Sequence, residues 1–509
     1  MWVLALFLVG TPPALADDRL TCFSSDAAPA ARIAACRTTA GDASLPAATR
    51  ADALGARAEA LAAEGRPADA LTDLDAGLRL VPDDTRLLLA RGKLRQGTAA
   101  EDDFSAVLAK TPANAEALMA RGESRLRRNA TAEGLADFRA ARRYAPNNPL
   151  PFRVLGKASL AQGKLIEAIA DLGQASRLDP RDTESRVLLG QAHLRADHGA
   201  EASAAFTAAL AIKPNEVEAL RGRATAAGRA ENFPAAIADL TTLLKAQPDD
   251  AAARKARGVA RLQSGEAAGA VEDFNVLLKA APADVELLYF RATANLRAAS
   301  LRAAEADFTA VLQMQQSEPD ALNGRGLARL LQGQFAIAEA DFSASLAVNP
   351  NAGDVLANRG QLRFMRGNLA AAEADLAAAL ARPGANPTLA VWHTIAARRL
   401  HRPDMLARSA QQLSAAWPAD RWPMAAVRFF LGETGPDALL KADGALQRCE
   451  AAFYLGQAAL LNGKRDEAEK QFRAAASADI RGSFAKIAAQ AELARIEKDK
   501  GPGAKAPSP

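Results

Sequence analysis

A proline recurs every 34 residues through the middle of the chain, at Pro112, Pro146, Pro180, Pro214, Pro248 and Pro282, and the frame resumes at Pro350 after Gln316. An apolar residue keeps the same step at Phe104, Phe138, Leu172, Phe206, Leu240, Phe274, Phe308, Phe342 and Leu376. Small residues keep it twice more, from Gly122 through Gly156, Gly190, Ala224 and Gly258 to Gly360, and from Ala168 to Ala372. A period of this length rules out one large core. Each unit is too short to bury its own apolar faces, so stability has to come from stacking neighbours. The one irregular step, 30 residues from Gly92 to Gly122, predicts that the turn around Gly97 has lost a few residues. Alanine dominates and aromatics are only 5%, which suits close helix-on-helix packing, and few strands are expected.

This pattern resembles the tetratricopeptide repeat across roughly residues 51–384. The resemblance implies two antiparallel helices per unit, with the Gly or Ala of the first letting the second approach and the Phe or Leu filling the gap between units. Proline then ends the pair, because it cannot continue a helix. The implied fold is all-α, a right-handed superhelical solenoid of about 11–12 helix-turn-helix repeats closed by a C-terminal capping helix.

One departure from the family pattern stands out. Arg precedes the small residue at Arg57, Arg91, Arg121, Arg223, Arg257, Arg291, Arg325 and Arg359, where the family usually has Leu. In the second helix an Asp precedes the Phe or Leu at Asp73, Asp103, Asp137, Asp239, Asp273, Asp307, Asp341 and Asp375. Leu155 and Leu189 replace the Arg in two units, one keeping Asp171 and the other having Ala205. The expectation is an Arg–Asp pair across the helices of each unit that fixes their register. The alternative is two independent solvated charges.

The N-terminus reads as a signal peptide over residues 1–16: an apolar run from Trp2 to Gly10, a Pro12-Pro13 break, then Ala14-Leu15-Ala16. No Lys or Arg precedes the run, which leaves open a start further upstream or a buried first helix of a cytosolic protein. Cys22 and Cys36 fall in segment 17–50, outside the repeats. They are a candidate structural disulfide, worth on the order of 3 kcal/mol for a loop of this size, or else two buried thiols. Cys449 reads as a buried apolar residue, and Arg19-Leu20-Thr21 before Cys22 do not fit a lipidation site. A soluble periplasmic or secreted protein is expected, with no stable membrane anchor in its mature form.

The resemblance also places the first helix of each unit on the inner surface, which nominates Arg153, Lys157, Arg195, Arg221, Lys255, Tyr289 and Arg297 as groove residues, with Glu184, Glu218 and Glu286 among them. A basic-leaning groove of this kind suits a partly extended, acidic segment of another protein. Equally, these are ordinary solvated helix faces. The Lys and Asn constellation of chaperone-adaptor members is absent, since Val187 and Gln191 follow Arg153 and Lys157.

After Gly384 the frame dissolves. Residues 385–497 hold a degenerate helix near Trp392, a block with Trp417-Pro418 and Trp422-Pro423, one more good repeat through Phe472, and a closing helix from Phe484 to Ile496. A tail, 498–509, reads as disordered. The run from Glu450 through Phe453-Tyr454-Leu455-Gly456 is similar to the last repeats of a bacterial envelope lipoprotein family that serves as adaptor for cell-wall hydrolases and a periplasmic protease. That resemblance implies an envelope adaptor role and partners of those two kinds.

Nothing in the chain carries a chemistry motif. His193, His198, His393 and His401 lack metal-pair spacing, and Gly163-Lys164 and Gly463-Lys464 lack the glycine and hydroxyl of a phosphate loop. With 63 basic against 59 acidic side chains, no clustered positive footprint for nucleic acid exists. The expectation is a scaffold that is not an enzyme and holds no cofactor or metal, an envelope adaptor or, as alternatives, a generic intracellular repeat scaffold or the binding subunit of a transferase or secretion complex.

Overall fold

The computed structural model describes residues 13–402, 422–480 and 482–500. All its regular elements are helices, and no strand occurs among the described residues. Most of the signal-peptide segment, Trp417-Pro418 and most of the tail lie outside those residues. The chain divides into two compact units, 1–231 and 232–509. No described helix is long and apolar enough to cross a membrane.

The first unit opens with two helices, Pro13–Phe23 and Pro29–Gly41, packed as a hairpin on the first repeat helix, Ala47–Ala63. Cys22 and Cys36 join them, with their Sγ atoms 2.10 Å apart. Arg32 ties the same hairpin to the first repeat through Glu59 at 2.7 Å. Paired helices follow from Pro67–Leu80 to Gly199–Ile212, and the unit ends after Val217–Arg229. The second unit begins with Phe233–Ala246 and continues in pairs to Gly353–Met365 and Leu369–Leu380.

Local chemistry sets these boundaries. Two residues beyond most of the periodic prolines stands an Asn or Asp that caps the next first helix, Asn114 accepting from the Ala117 amide at 2.9 Å, Asp250 from Ala253 at 2.8 Å and Asp284 from Leu287 at 3.0 Å, while Glu216 and Ala352 stand there without a side-chain cap. Each such cap contributes about 1 kcal/mol. Between the two helices of a unit the chain turns through a left-handed residue, glycine at Gly265 and Gly333 but Ala299 between them in the same register, at φ 58°. The short step is taken mostly from the first helix and not, as expected, from the turn, which is one residue shorter at 95–96 than at 128–130. Thr85–Leu94 has 10 residues where Ala115–Arg127 has 13.

Packing follows the small and large residues. Phe206 and Phe342 are fully buried, and a Cβ added at Gly190 or Gly326 would lie 2.7 Å from the ring beneath it. Only glycine admits such an approach, and each ring buried this way contributes about 2–3 kcal/mol.

Beyond the regular repeats the second unit gains an aromatic core. Helix Thr388–Arg399 brings Trp392 edge-on to Phe364, with centroids 5.3 Å apart, and near Phe453 at 5.0 Å. Helices Gly444–Leu461 and Arg465–Ala476 form one further pair. The last helix, Phe484–Lys500, packs on that pair and returns to Gly353–Met365, where Arg495 donates to the Phe364 carbonyl at 3.4 Å. Its buried Glu492 accepts from Arg399 at 2.6 Å and Gln457 at 3.0 Å, so the closing helix is held by charge as well as by apolar area.

Candidate functional site

Which charges remain for a partner depends first on which the fold consumes. Asp137, Asp273, Asp307, Asp341 and Asp375 are all under a tenth exposed, and each takes a two-pronged bond from the Arg of its own first helix. Arg121 reaches Asp137 at 3.0 and 2.7 Å, for example, and Arg359 reaches Asp375 at 2.8 and 2.8 Å. Arg57–Asp73 and Arg91–Asp103 repeat the arrangement. The paired alternative is the one the geometry realises in these repeats.

The staple reaches further than the sequence pattern indicated. The remaining guanidinium nitrogen bonds the second helix of the preceding repeat: Arg91 to Asp75 at 2.7 Å, Arg121 to Ser105 at 3.0 Å, Arg223 to Thr207 at 3.1 Å and Arg291 to Asn275 at 2.8 Å. A second cation, four residues on, reaches the same Asp from Arg125, Arg261, Arg329 and Arg363 at 2.7–2.9 Å. Each buried carboxylate thus binds its own repeat together while the Arg binds the repeat before it. Where Leu155 replaces the Arg, Asp171 turns to Arg142 at 2.7 Å; burial raises its pKa and the Arg142 charge only partly offsets that.

Successive first helices also touch one another, as do Thr183–Arg195 with Val217–Arg229 and Val285–Arg297 with Pro319–Leu331, so first helices form the inner face of each unit. In the first unit Arg153 donates to Asp182 at 3.0 Å and Lys157 to Glu184 at 2.9 Å. Arg195 caps the preceding first helix by bonding the Leu160 carbonyl at 3.1 Å. Arg221 is partly buried on helix Val217–Arg229.

In the second unit Lys255 pairs with Glu286 at 2.6 Å, and Arg297 caps its predecessor through the Leu262 carbonyl at 2.7 Å. Tyr289 packs edge-on to Phe308 at 5.9 Å; burial raises its pKa, reinforced by the negative charges of Asp320, Glu318 and Asp354. Of the seven groove residues, three cations therefore already hold carboxylates of the next repeat, and two close helix ends. The basic character expected of the groove is largely spent on joining repeats.

A concavity of about 810 Å³ opens in the second unit, between Gly353–Met365, the connection 382–388, helix Gly444–Leu461 and the start of the closing helix. Asp354, Asn358, Gln361, Trp392, Leu446 and Glu450 line it. Asp354 accepts from Asn323 at 3.1 Å, and Asn358 donates to Asn323 at 3.0 Å. Glu450 accepts from the Trp422 indole at 2.8 Å; burial raises its pKa against that bond. These residues escaped the sequence reading although their register was available. Gln361 continues the 34-residue series of Lys157, and Asp354 that of Glu184 and Glu286.

The histidines stay apart from this site. His193 and His198 bring ring nitrogens to 3.5 Å on the exposed surface, and His393 is buried against Glu373 at 3.2 Å. No group of three metal-ligating side chains occurs among the described residues.

Comparison with known families matches one tetratricopeptide repeat model to residues 85–149, 221–285 and 327–387, and a second to 159–226. The chain carries tetratricopeptide repeats. Solved structures similar to it include a tetratricopeptide repeat protein from Parabacteroides merdae ATCC 43184, 20% identical, covering 45% of this chain and 91% of its own length at a TM-score of 0.36. MamA from Desulfovibrio magneticus RS-1 is 20% identical over 33% of this chain and 96% of its own, at 0.31. YrrB, described as a TPR protein with an unusual peptide-binding site, is 20% identical over 35% and 95%, at 0.33. No curated protein matched. The tetratricopeptide matches take in the Arg91, Arg121, Arg257 and Arg359 staples, leave out Arg57–Asp73 and Arg291–Asp307, and stop at residue 387, before Trp392, Phe453 and Glu450.

Proposed function

We propose that this tetratricopeptide solenoid is a non-catalytic, protein-binding scaffold of the bacterial periplasm that brings cell-envelope enzymes together, wall hydrolases or a protease among them. Binding of other proteins or peptides is the general role of such repeats. The observation that carries the reading is the inner face, where first helices stack side by side and, in the second unit, end in a concavity of about 810 Å³, inside the size range of ligand-holding clefts. The Cys22–Cys36 bridge supports an oxidising compartment, where such bonds persist, and the Ala14-Leu15-Ala16 pattern supports export. The Glu450 to Gly456 segment, with its similarity to an envelope adaptor family, supports the choice of partners.

The test is made in cells that express the tagged full chain. Thiols are alkylated before lysis, fractions are separated, and crosslinked partners are identified by mass spectrometry. The reading expects Cys22 and Cys36 blocked, protein in the periplasmic fraction, and hydrolases or proteases in the crosslinked pool. Free thiols in a cytoplasmic protein would refute the location, and a pool of cytosolic proteins alone would refute the partners.

A further inference from the structure

The concavity of the second unit lacks a partner for several of its groups. Gln361 is 9% exposed, lines the wall, and has no hydrogen-bond partner among the described residues. Its amide is not sealed from solvent, so water meets it in the free protein and a ligand in the concavity would take that water's place. Asn358 lies three residues earlier on the same helix face; one of its amide hydrogens is engaged with Asn323 while its carbonyl oxygen accepts from no group among the described residues. Each of these side chains offers a donor and an acceptor together, the same complement that a peptide group presents.

The charges are unbalanced in one direction. On the inner faces elsewhere a lysine meets three carboxylates of this register, Lys93 with Glu116, Lys157 with Glu184 and Lys255 with Glu286, whereas Glu218 and Asp320 have Val187 and Tyr289 at the position of Lys255. Asp354 occupies the register of Glu286, but Asn323 stands where Lys255 stands two repeats before, so the cation is missing. Glu450, on the opposite wall, is held among the described residues by the Trp422 indole alone. Among the described lining residues Arg382 is the one cation, and it is turned to the Asn351 side chain at 2.6 Å. Leu446, 51% exposed, adds apolar surface at the same wall.

We propose that this concavity binds an extended peptide segment of another protein that carries a Lys or Arg beside an apolar residue. The cation sits between Asp354 and Glu450, the apolar side chain lies on Leu446, and the backbone is read by Asn358 and Gln361. This rests on the protein-binding reading above and gives it a ligand opposite in charge to the one the groove cations suggest.

The full chain is immobilised and exposed to randomised heptapeptides blocked at both ends, and the retained peptides are sequenced. Lys and Arg are expected to be enriched about fivefold or more over Asp and Glu, next to apolar positions. Asp354→Asn with Glu450→Gln keeps the acceptors for Asn323 and Trp422 and should erase that preference. Gln361→Leu should reduce total capture about tenfold and leave the preference intact. Leu446→Arg, at an exposed position that folding does not depend on, should block capture of the basic peptides even if the buried variants prove unstable. No retained peptides, an acidic or neutral pool, or a basic preference that survives all the variants overturns the site. Those results leave the scaffold reading standing, since it falls only on the crosslinked partners and the thiol state.

Discussion

Replacing Asp273 with Ala tests whether the Arg–Asp staples hold the repeats together. Asp273 is 1% exposed and accepts from Arg257 at 3.0 and 2.6 Å and from Arg261 at 2.9 Å. Its removal takes the carboxylate from three guanidinium groups, Arg257, Arg261 and, at 3.7 Å, Arg254, of which Arg261 keeps Glu266 at 3.9 Å. Removing one partner of a buried pair costs about 3–5 kcal/mol. Arg257 keeps Thr241 at 3.3 Å and Arg261 keeps the Gly269 carbonyl at 3.1 Å, so the lower end, about 3 kcal/mol, is expected. Removing Arg257 with it should cost less, because Arg261, the other close partner, keeps the Gly269 carbonyl at 3.1 Å and Glu266 at 3.9 Å. Arg257→Leu with Asp273→Ala copies the apolar solution the chain uses at Leu189 and Ala205, and about 1 kcal/mol is expected. A solenoid unfolds in pieces, so amide hydrogen exchange in helix Ala267–Ala280 is the right assay, not a single melting curve. The single change should lower protection about 150-fold and the double change about fivefold. A single change worth less than tenfold, or a double change as damaging as the single, would refute the staple.

Other perturbations follow from the same geometry. Ala299→Gly removes a left-handed alanine at φ 58° where Gly265 and Gly333 hold the same register; protection across 285–314 should rise by about 1 kcal/mol, and no change would show that the turn carries no strain. Cys22→Ser with Cys36→Ser opens a loop with a sequence separation of 14, and exchange protection of helix Pro29–Gly41 should fall by about 3 kcal/mol, with helix Gly353–Met365 unaffected. Burial opposes ionisation of Glu492, but the Arg399 and Arg495 charges and the Gln457 amide outweigh it and hold its pKa below the ordinary glutamate value. A depressed carboxylate stabilises above the ordinary value, about 4.3, and that stability is lost as pH falls through the lower folded one. Corrected exchange protection of the closing helix should therefore hold from about pH 7 to 5 and decline below about 4; a decline already present at pH 6 would contradict the assignment.

The solenoid was legible because three kinds of residue keep one period for three separate physical reasons. Proline stops a helix, glycine admits a neighbour and phenylalanine fills the gap between them. The Arg–Asp staple was legible because it keeps that period too. Its other half was not. Ser105 and Asn275 look on a helix like solvated polar positions, and only the stacking of neighbouring repeats brings them to the staple Arg, whereas second arginines such as Arg125 and Arg261 reach the Asp within their own repeat from four residues beyond the first Arg. The groove positions were likewise readable, whereas their occupation by Asp182, Glu184 and Glu286 depends on how far one repeat is rotated from the next. The concavity was least legible, since Glu450, Leu446 and the connection 382–388 lie out of frame and reach Gln361 only through the packing of the last helices.

The placement of charge separates two uses of one register. Where Lys255 faces Glu286 the inner face is neutral and internally bonded, and a partner's charged side chain would have to displace an existing pair before gaining anything. An exposed pair of that kind contributes little, about 0.2–1 kcal/mol, so it discriminates weakly among partners. Where Asn323 takes the lysine's place, Asp354 is held among the described residues by an amide alone, and the indole-bonded carboxylate across the concavity, Glu450, is raised in pKa by its own burial. A cation arriving there breaks no ion pair and relieves a desolvated charge, which is the condition under which a charge–charge contact adds affinity and not only orientation. Restoring the lysine by Asn323→Lys should therefore neutralise Asp354 from within and abolish the preference for basic peptides without disturbing the stapled repeats. If Asn323→Lys retained that preference in full, the missing cation would not be what makes this end of the inner face selective.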